Sequence, residues 1–245
     1  MVVTFYTGSR GYEFTQLYTC RYAVTQHLER LLPVLATIPG VNIPVSILQG
    51  IYIAASQRKI EQFEQALRYE IGLLNQKIEA GNLRLDHEYV RSESFTANVM
   101  QALRAAEIAE NEDKLRFIAR ALAGCSLSFP PPTLDKFQSM RIIEGLSGRE
   151  LKVFVDYFQL LDPIDPYQDL IPVDSQVTVA GLTRQEFLAA LLGLQQLGLL
   201  SKENLTDRDG EWVDTPRQSG PGFAWKLTAL ARQVATLSRV GSGEF

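Results

Sequence analysis

Apolar residues recur every three or four positions through most of this chain. Ile60, Phe63, Leu67, Ile71, Leu74 and Ile78 form one such stripe, with Gln, Glu, Lys and Arg between them. That spacing predicts an amphipathic helix over 56–80, stopped by Gly81-Asn82. A second helical region is predicted over 94–123, with Phe95, Val99, Leu103, Ala106, Leu115, Ile118 and Leu122 inward. Its many alanines allow a neighbouring helix to come close. The intervening segment 80–91 is short enough to fold the two into an antiparallel pair. Residues 12–32 hold no Pro or Gly and read as a helix. Residues 133–146 read as another, with Leu134, Phe137, Met140 and Ile143 inward.

Two stretches repeat one start signal. LSGREL and LTRQEF each place a hydroxyl three residues before a glutamate, with an apolar residue on either side. This is a capping box with a hydrophobic staple: Ser147 with Glu150 and Leu146 with Leu151, then Thr183 with Glu186 and Leu182 with Phe187. The helix begun at Ser147 presents Leu151, Phe154, Val155, Phe158 and Leu161, and ends at Asp162-Pro163. The helix begun at Thr183 ends where Gly198 can take the left-handed position and Leu199 can fold back on Leu194. Two strands follow, 199–205 and 223–227, around a loop rich in Gly, Pro and Asp. A closing helix follows over 228–239. Helix, strand, loop, strand, helix is the order of a winged helix. The expected fold is therefore mainly α. An N-terminal amphipathic helical domain spans 1–128, a Pro-rich linker 129–133, and a winged-helix-like α/β domain 134–240. The last residues, 241–245 (GSGEF), read as a cloning linker.

One stretch breaks the amphipathic pattern. Between Arg30 and Arg58 there is no charged residue. Pro33, Pro39, Gly40, Pro44 and Gly50 interrupt this apolar segment, 31–57, and the longest Pro-free apolar piece is too short to span a bilayer. Burial in the protein or in an oligomer is the leading expectation. Membrane-surface insertion through 31–55 is the alternative, with Ile47, Leu48, Ile51 and Tyr52 as membrane or oligomer contacts.

Composition is that of an ordinary globular protein, with 46% hydrophobic and 21% charged residues in 245. The two cysteines, Cys20 and Cys125, lie far apart and suit a reduced cytoplasmic chain, peripheral to the membrane if 31–55 inserts. The N-terminus shows no basic start followed by an apolar run, so no signal peptide is expected.

Charge bears on the winged-helix reading. Residues 141–245 hold 10 Lys+Arg and 14 Asp+Glu, net −4, which leaves 14 and 14 of the chain's 24 and 28 for residues 1–140. Nucleic-acid affinity rests on cations near phosphates. The would-be recognition helix carries one arginine, Arg184, against Glu186. Its glutamines Gln185, Gln195 and Gln196 could read adenine edges, but no basic cluster supports them. The wing offers Lys202, Arg208, Arg217 and Lys226 against five acids. A protein partner or self-association is the better expectation, with Trp212, Trp225, Arg184, Arg208 and Arg217 as contact candidates.

Catalytic signals are sparse. There is no HExxH, GxxxxGK[ST], GxGxxG or GxSxG pattern. His27 and His87 are the chain's histidines, and nothing pairs either with Cys125, Ser126 or Ser128. No cofactor or metal is expected, and an enzyme using His87 or Cys125 is the least favoured class.

The apolar N-terminal region, the two amphipathic helices and the segments RIIEGLSGREL, LGLL and WKLTALAR resemble the bacterial abortive-infection alpha family in organisation. Ala231 stands where a glycine is usual in the wing-closing motif, and the family supplies no catalytic residues to carry over. The resemblance implies a role in bacterial phage defence. The readings in play are thus a non-enzymatic interaction module with a protein-binding winged helix, a winged-helix transcription regulator dimerising through its N-terminal helices, and a membrane-associated effector acting through 31–55.

Overall fold

A computed structural model describes residues 33–40, 57–129, 134–160, 170–172, 179–204 and 223–240. In chain order its elements are α1 (Gln57–Glu79), α2 (Glu93–Glu107), α3 (Glu112–Cys125), α4 (Lys136–Gly145), α5 (Gly148–Leu160), β1 (Leu170–Pro172), α6 (Arg184–Gln196), β2 (Leu200–Asn204), β3 (Phe223–Leu227) and α7 (Ala229–Ser238). The protein is mainly helical, with a small antiparallel sheet in the order β1-β3-β2.

The stripe of α1 is inward as its spacing requires: Ile60, Phe63, Leu67, Ile71 and Leu74 are all buried. Gly81 at φ 77° ends the helix, its N–H bonding Ile78 O while Asn82 N–H bonds Lys77 O. The expected long helix over 94–123 is two helices. Asn111 caps the second by accepting from Lys114 N–H at 2.9 Å, which restarts the helix after Ile108, itself exposed. The break changes the pairing. Lys59 Nζ donates to the carbonyls of Glu107 and Ala109, while Glu70, further along α1, binds Arg120, further along α3. So α1 runs in the same direction as α3, and this is its main contact; α2 returns antiparallel. The alanines act as expected: Ala102, Ala105, Ala106, Ala119, Ala121 and Ala123 have no exposed surface.

On the far side of residues 130–133, α4 packs on α2, and α7 packs on α3. Side chains from both sides of that segment belong to one cluster of buried residues. Phe137, expected inward, is exposed, and Lys136 is buried instead. Asp135 caps α4 through Gln138 N–H, which fixes the helix phase. The Lys136 ammonium is satisfied inside by Asp86 Oδ2 at 2.9 Å and by the Tyr89 ring, 3.9 Å from its centroid.

The uncharged segment lies mostly outside the described residues, including Ile47, Leu48, Ile51 and Tyr52. Of its described part, 33–40, Pro33 opens a helical turn and Val34, Leu35 and Ile38 are buried. Among the described residues no helix is long and apolar enough to cross a membrane.

Candidate functional site

Both predicted start signals form. Ser147 N–H donates to Glu150 Oε2 at 2.7 Å and Glu150 N–H returns to Ser147 Oγ at 3.2 Å. Thr183 N–H donates to Glu186 Oε2 at 3.0 Å and Glu186 N–H to Thr183 Oγ1 at 3.3 Å. At the other end of α6, Gly198 at φ 76° gives its N–H to Gln195 O, and Leu199 N–H bonds Leu194 O. These caps set the rotation of α6. Phe187, Ala190, Leu191 and Leu194 are buried, while Gln185, Ala189, Leu192, Gln195 and Gln196 face outward. Leu192 is 53% exposed.

The outward face of α6 therefore carries no ionised side chain after its first turn. In that turn, Arg149 from α5 binds Glu186 Oε1 at 3.1 Å. The Thr183 backbone N–H, its hydroxyl and then Arg149 hold the Glu186 carboxyl below the usual carboxylate range. Arg184 stands beside them, half-buried.

The α5–α6 contact is close for an identifiable reason. A methyl group on Gly193 would stand 1.8 Å from Glu150 Oε1. The glutamate that caps α5 thus lies in the space a side chain on α6 would need.

Among the described residues of the hairpin, two opposite charges are paired. Lys226 on β3 binds Glu203 on β2 at 3.2 Å. Ile171 of β1 and Lys202 of β2 flank Trp225 in the sheet. Trp225 is 4% exposed and belongs to the core, so its indole offers no surface to a partner in this arrangement. Trp212, Arg208 and Arg217 lie outside the described residues.

A concavity of about 840 Å³ lies between α1, α3 and α5. Tyr69, 65% exposed, stands at it, and Glu70 and Arg120 line it. Glu70 is 3% exposed and takes Arg120 Nε at 3.1 Å and Arg239 Nη2 from the end of α7. The carboxylate is thereby committed to holding three helices together.

The segments that carry the candidate groups are neighbours, Leu85 bridging Leu127 and Asp86 N–H donating to Ser126 O at 2.8 Å, but the His87 and Cys125 side chains lie in opposite environments. His87 is exposed, while Asp86 beside it turns to Lys136 and the Tyr89 N–H. Burial alone would raise the Asp86 carboxyl, but these partners bring it below the usual range. Cys125 is wholly buried, which pushes its thiol up to about 12. Ser126 Oγ donates to Ala123 O, back into its own helix. Ser128 is exposed, and His27 lies outside the described residues. Among the described residues no cluster of His, Cys, Asp or Glu is placed to hold a metal.

The chain matches no protein-family model, no curated protein and no solved structure with which it was compared.

Proposed function

We propose that this protein is a non-enzymatic interaction module whose C-terminal part, a winged helix, meets another protein through α6. The observation that carries this is the outward face of α6: Gln185, Ala189, Leu192, Gln195 and Gln196, without a cation. A recognition helix entering the major groove approaches phosphates on both sides, and affinity there comes from Lys and Arg. The Lys226–Glu203 pair removes a further cation from the hairpin. Support for the winged-helix reading comes from the helix α6 preceding the β2–β3 hairpin, and from β1 joining the sheet beside β3. The resemblance to the abortive-infection alpha family sets such a module in phage defence inside a bacterial cell. Phage plating on a host with and without the gene tests that context.

The protein-contact reading is tested by selecting duplexes from a random pool in a mobility-shift assay near physiological salt. No selected motif is expected. A motif bound with a dissociation constant near 10 nM, the range of specific readers, and lost on Arg184→Ala, would make the protein a transcription regulator.

A further inference from the structure

We infer that the partner of α6 is α6 of a second copy of this chain, docked antiparallel across a twofold axis. The inference rests on the protein-contact reading above and names the partner. Gln185, Ala189, Leu192 and Gln196 are spaced 4, 3 and 4 apart, so at 100° per residue they fall within about 60° of one another on the helix. All four are exposed. Buried positions Phe187, Ala190, Leu191 and Leu194 occupy the opposite side, so the stripe points straight out of the protein.

The stripe is self-complementary. In a twofold contact, residue i of one copy meets residue j of the other and j meets i. With the axis between Ala190 and Leu191, Gln185 stands opposite Gln196 of the second copy, and Ala189 opposite its Leu192. Each glutamine carboxamide both donates and accepts, so Gln185 and Gln196 can bond reciprocally at both ends. At the centre the large Leu192 meets the small Ala189 twice. An uncharged stripe also meets its own copy without like-charge repulsion, which most solvent faces of helices would suffer. A single exposed leucine would mean little by itself; the order polar, small, large, polar along one line is what fits a second copy.

One helix pair buries a small area, so the association is expected to be weak. Sedimentation equilibrium of the full chain over roughly 1 µM to 1 mM reads it. Wild type is expected to dimerise in that range. Gln185→Glu with Gln196→Glu places like charges opposite each other at both ends and is expected to weaken the dimer at least tenfold. Gln185→Lys with Gln196→Glu places opposite charges there and is expected to restore it. Leu192→Glu is expected to give a monomer. All these positions are exposed, and an unchanged Tm in each variant verifies folding. A wild type that stays monomeric throughout overturns the inference, as does a dimer that ignores Leu192→Glu or a lysine–glutamate variant no better than the double glutamate. A monomer that also fails to bind duplex overturns only the choice of partner. A duplex bound specifically through Arg184 overturns the protein-contact reading as well.

Discussion

The Cα of Gly124 lies against the carbonyl of Leu237, so closely that a methyl group on Gly124 would stand 2.0 Å from that oxygen. Gly124 is inside α3, one residue before its end, and Leu237 is inside α7. The glycine is there to let two backbones approach, and the helix continues through it.

Gly124→Ala is therefore expected to destabilise. Helix propensity alone favours alanine by about 1 kcal/mol. Here the obstructing atom belongs to another helix's backbone, so α7 must move as a whole. Overpacking of this kind costs about 1–3 kcal/mol, or more. Urea unfolding monitored by circular dichroism measures it; a gain in stability would show that the α3–α7 approach is looser than described.

Gly193→Ala tests the α5–α6 contact differently, because the obstruction there is one side chain. In the wild type, alanine must displace Glu150, whose Oε2 holds the Ser147 N–H. It is expected to cost about 1–3 kcal/mol. In a Glu150→Ala background the same change meets no carboxylate and is expected to be neutral or to gain up to about 1 kcal/mol. A double-mutant cycle on thermal unfolding reads the difference as strong coupling. Additive effects would separate the two residues.

Glu70 is buried between two guanidinium groups, and Arg239, one of the two, closes α7 at φ 55° and ψ 34°. Left-handed backbone costs a non-glycine residue about 1–2 kcal/mol. The Val240 N–H to Ala235 O bond and the Glu70 contact offset that cost. Glu70→Ala leaves two arginines buried without this carboxylate and is expected to lose about 3–5 kcal/mol. Chemical denaturation checks it, and a loss under 1 kcal/mol would remove the cluster from the account of how α7 is held.

Asp86 supplies a pH dependence with a definite sign. Burial would raise its folded carboxyl, but Lys136 and the Tyr89 N–H hold it below the ordinary aspartate value of 3.8. Its stabilisation is present above that value and is lost as pH falls through the lower folded one. Asp86→Asn is expected to reduce stability near neutral pH and to flatten the acid limb below about pH 4. Unfolding curves taken from pH 7 downward measure both effects. An unchanged acid limb would assign it to other carboxylates.

Much of this architecture is written locally. The boxes at Ser147 and Thr183, the stops at Gly81 and Gly198 and the hairpin strands all follow from residues within a few positions of each other. The missed features depend on distant partners or on very short signals. Asn111 breaks the second helical region with a single cap. β1 is three residues ending in proline, too short for any alternation to register. Lys136 looks like a surface residue until Asp86 and Tyr89 are brought to it. Arg239 reaches Glu70 across 169 positions. The outward face of α6 was legible in composition, since its lack of cations is plain, but its alignment into one exposed stripe needed the cap geometry.

If α6 faces protein and not nucleic acid, as proposed, the salt dependence of duplex binding will show it. Fluorescence anisotropy of a labelled random duplex, titrated with the full chain at several salt concentrations, gives the slope of log K against log salt. Each neutralised phosphate adds about −0.9 to that slope on B-form DNA. Little or no binding at physiological salt is the result expected here, with Arg184→Ala indistinguishable from wild type. Tight binding with a slope of roughly −5 or steeper, reduced in Arg184→Ala, would contradict the claim.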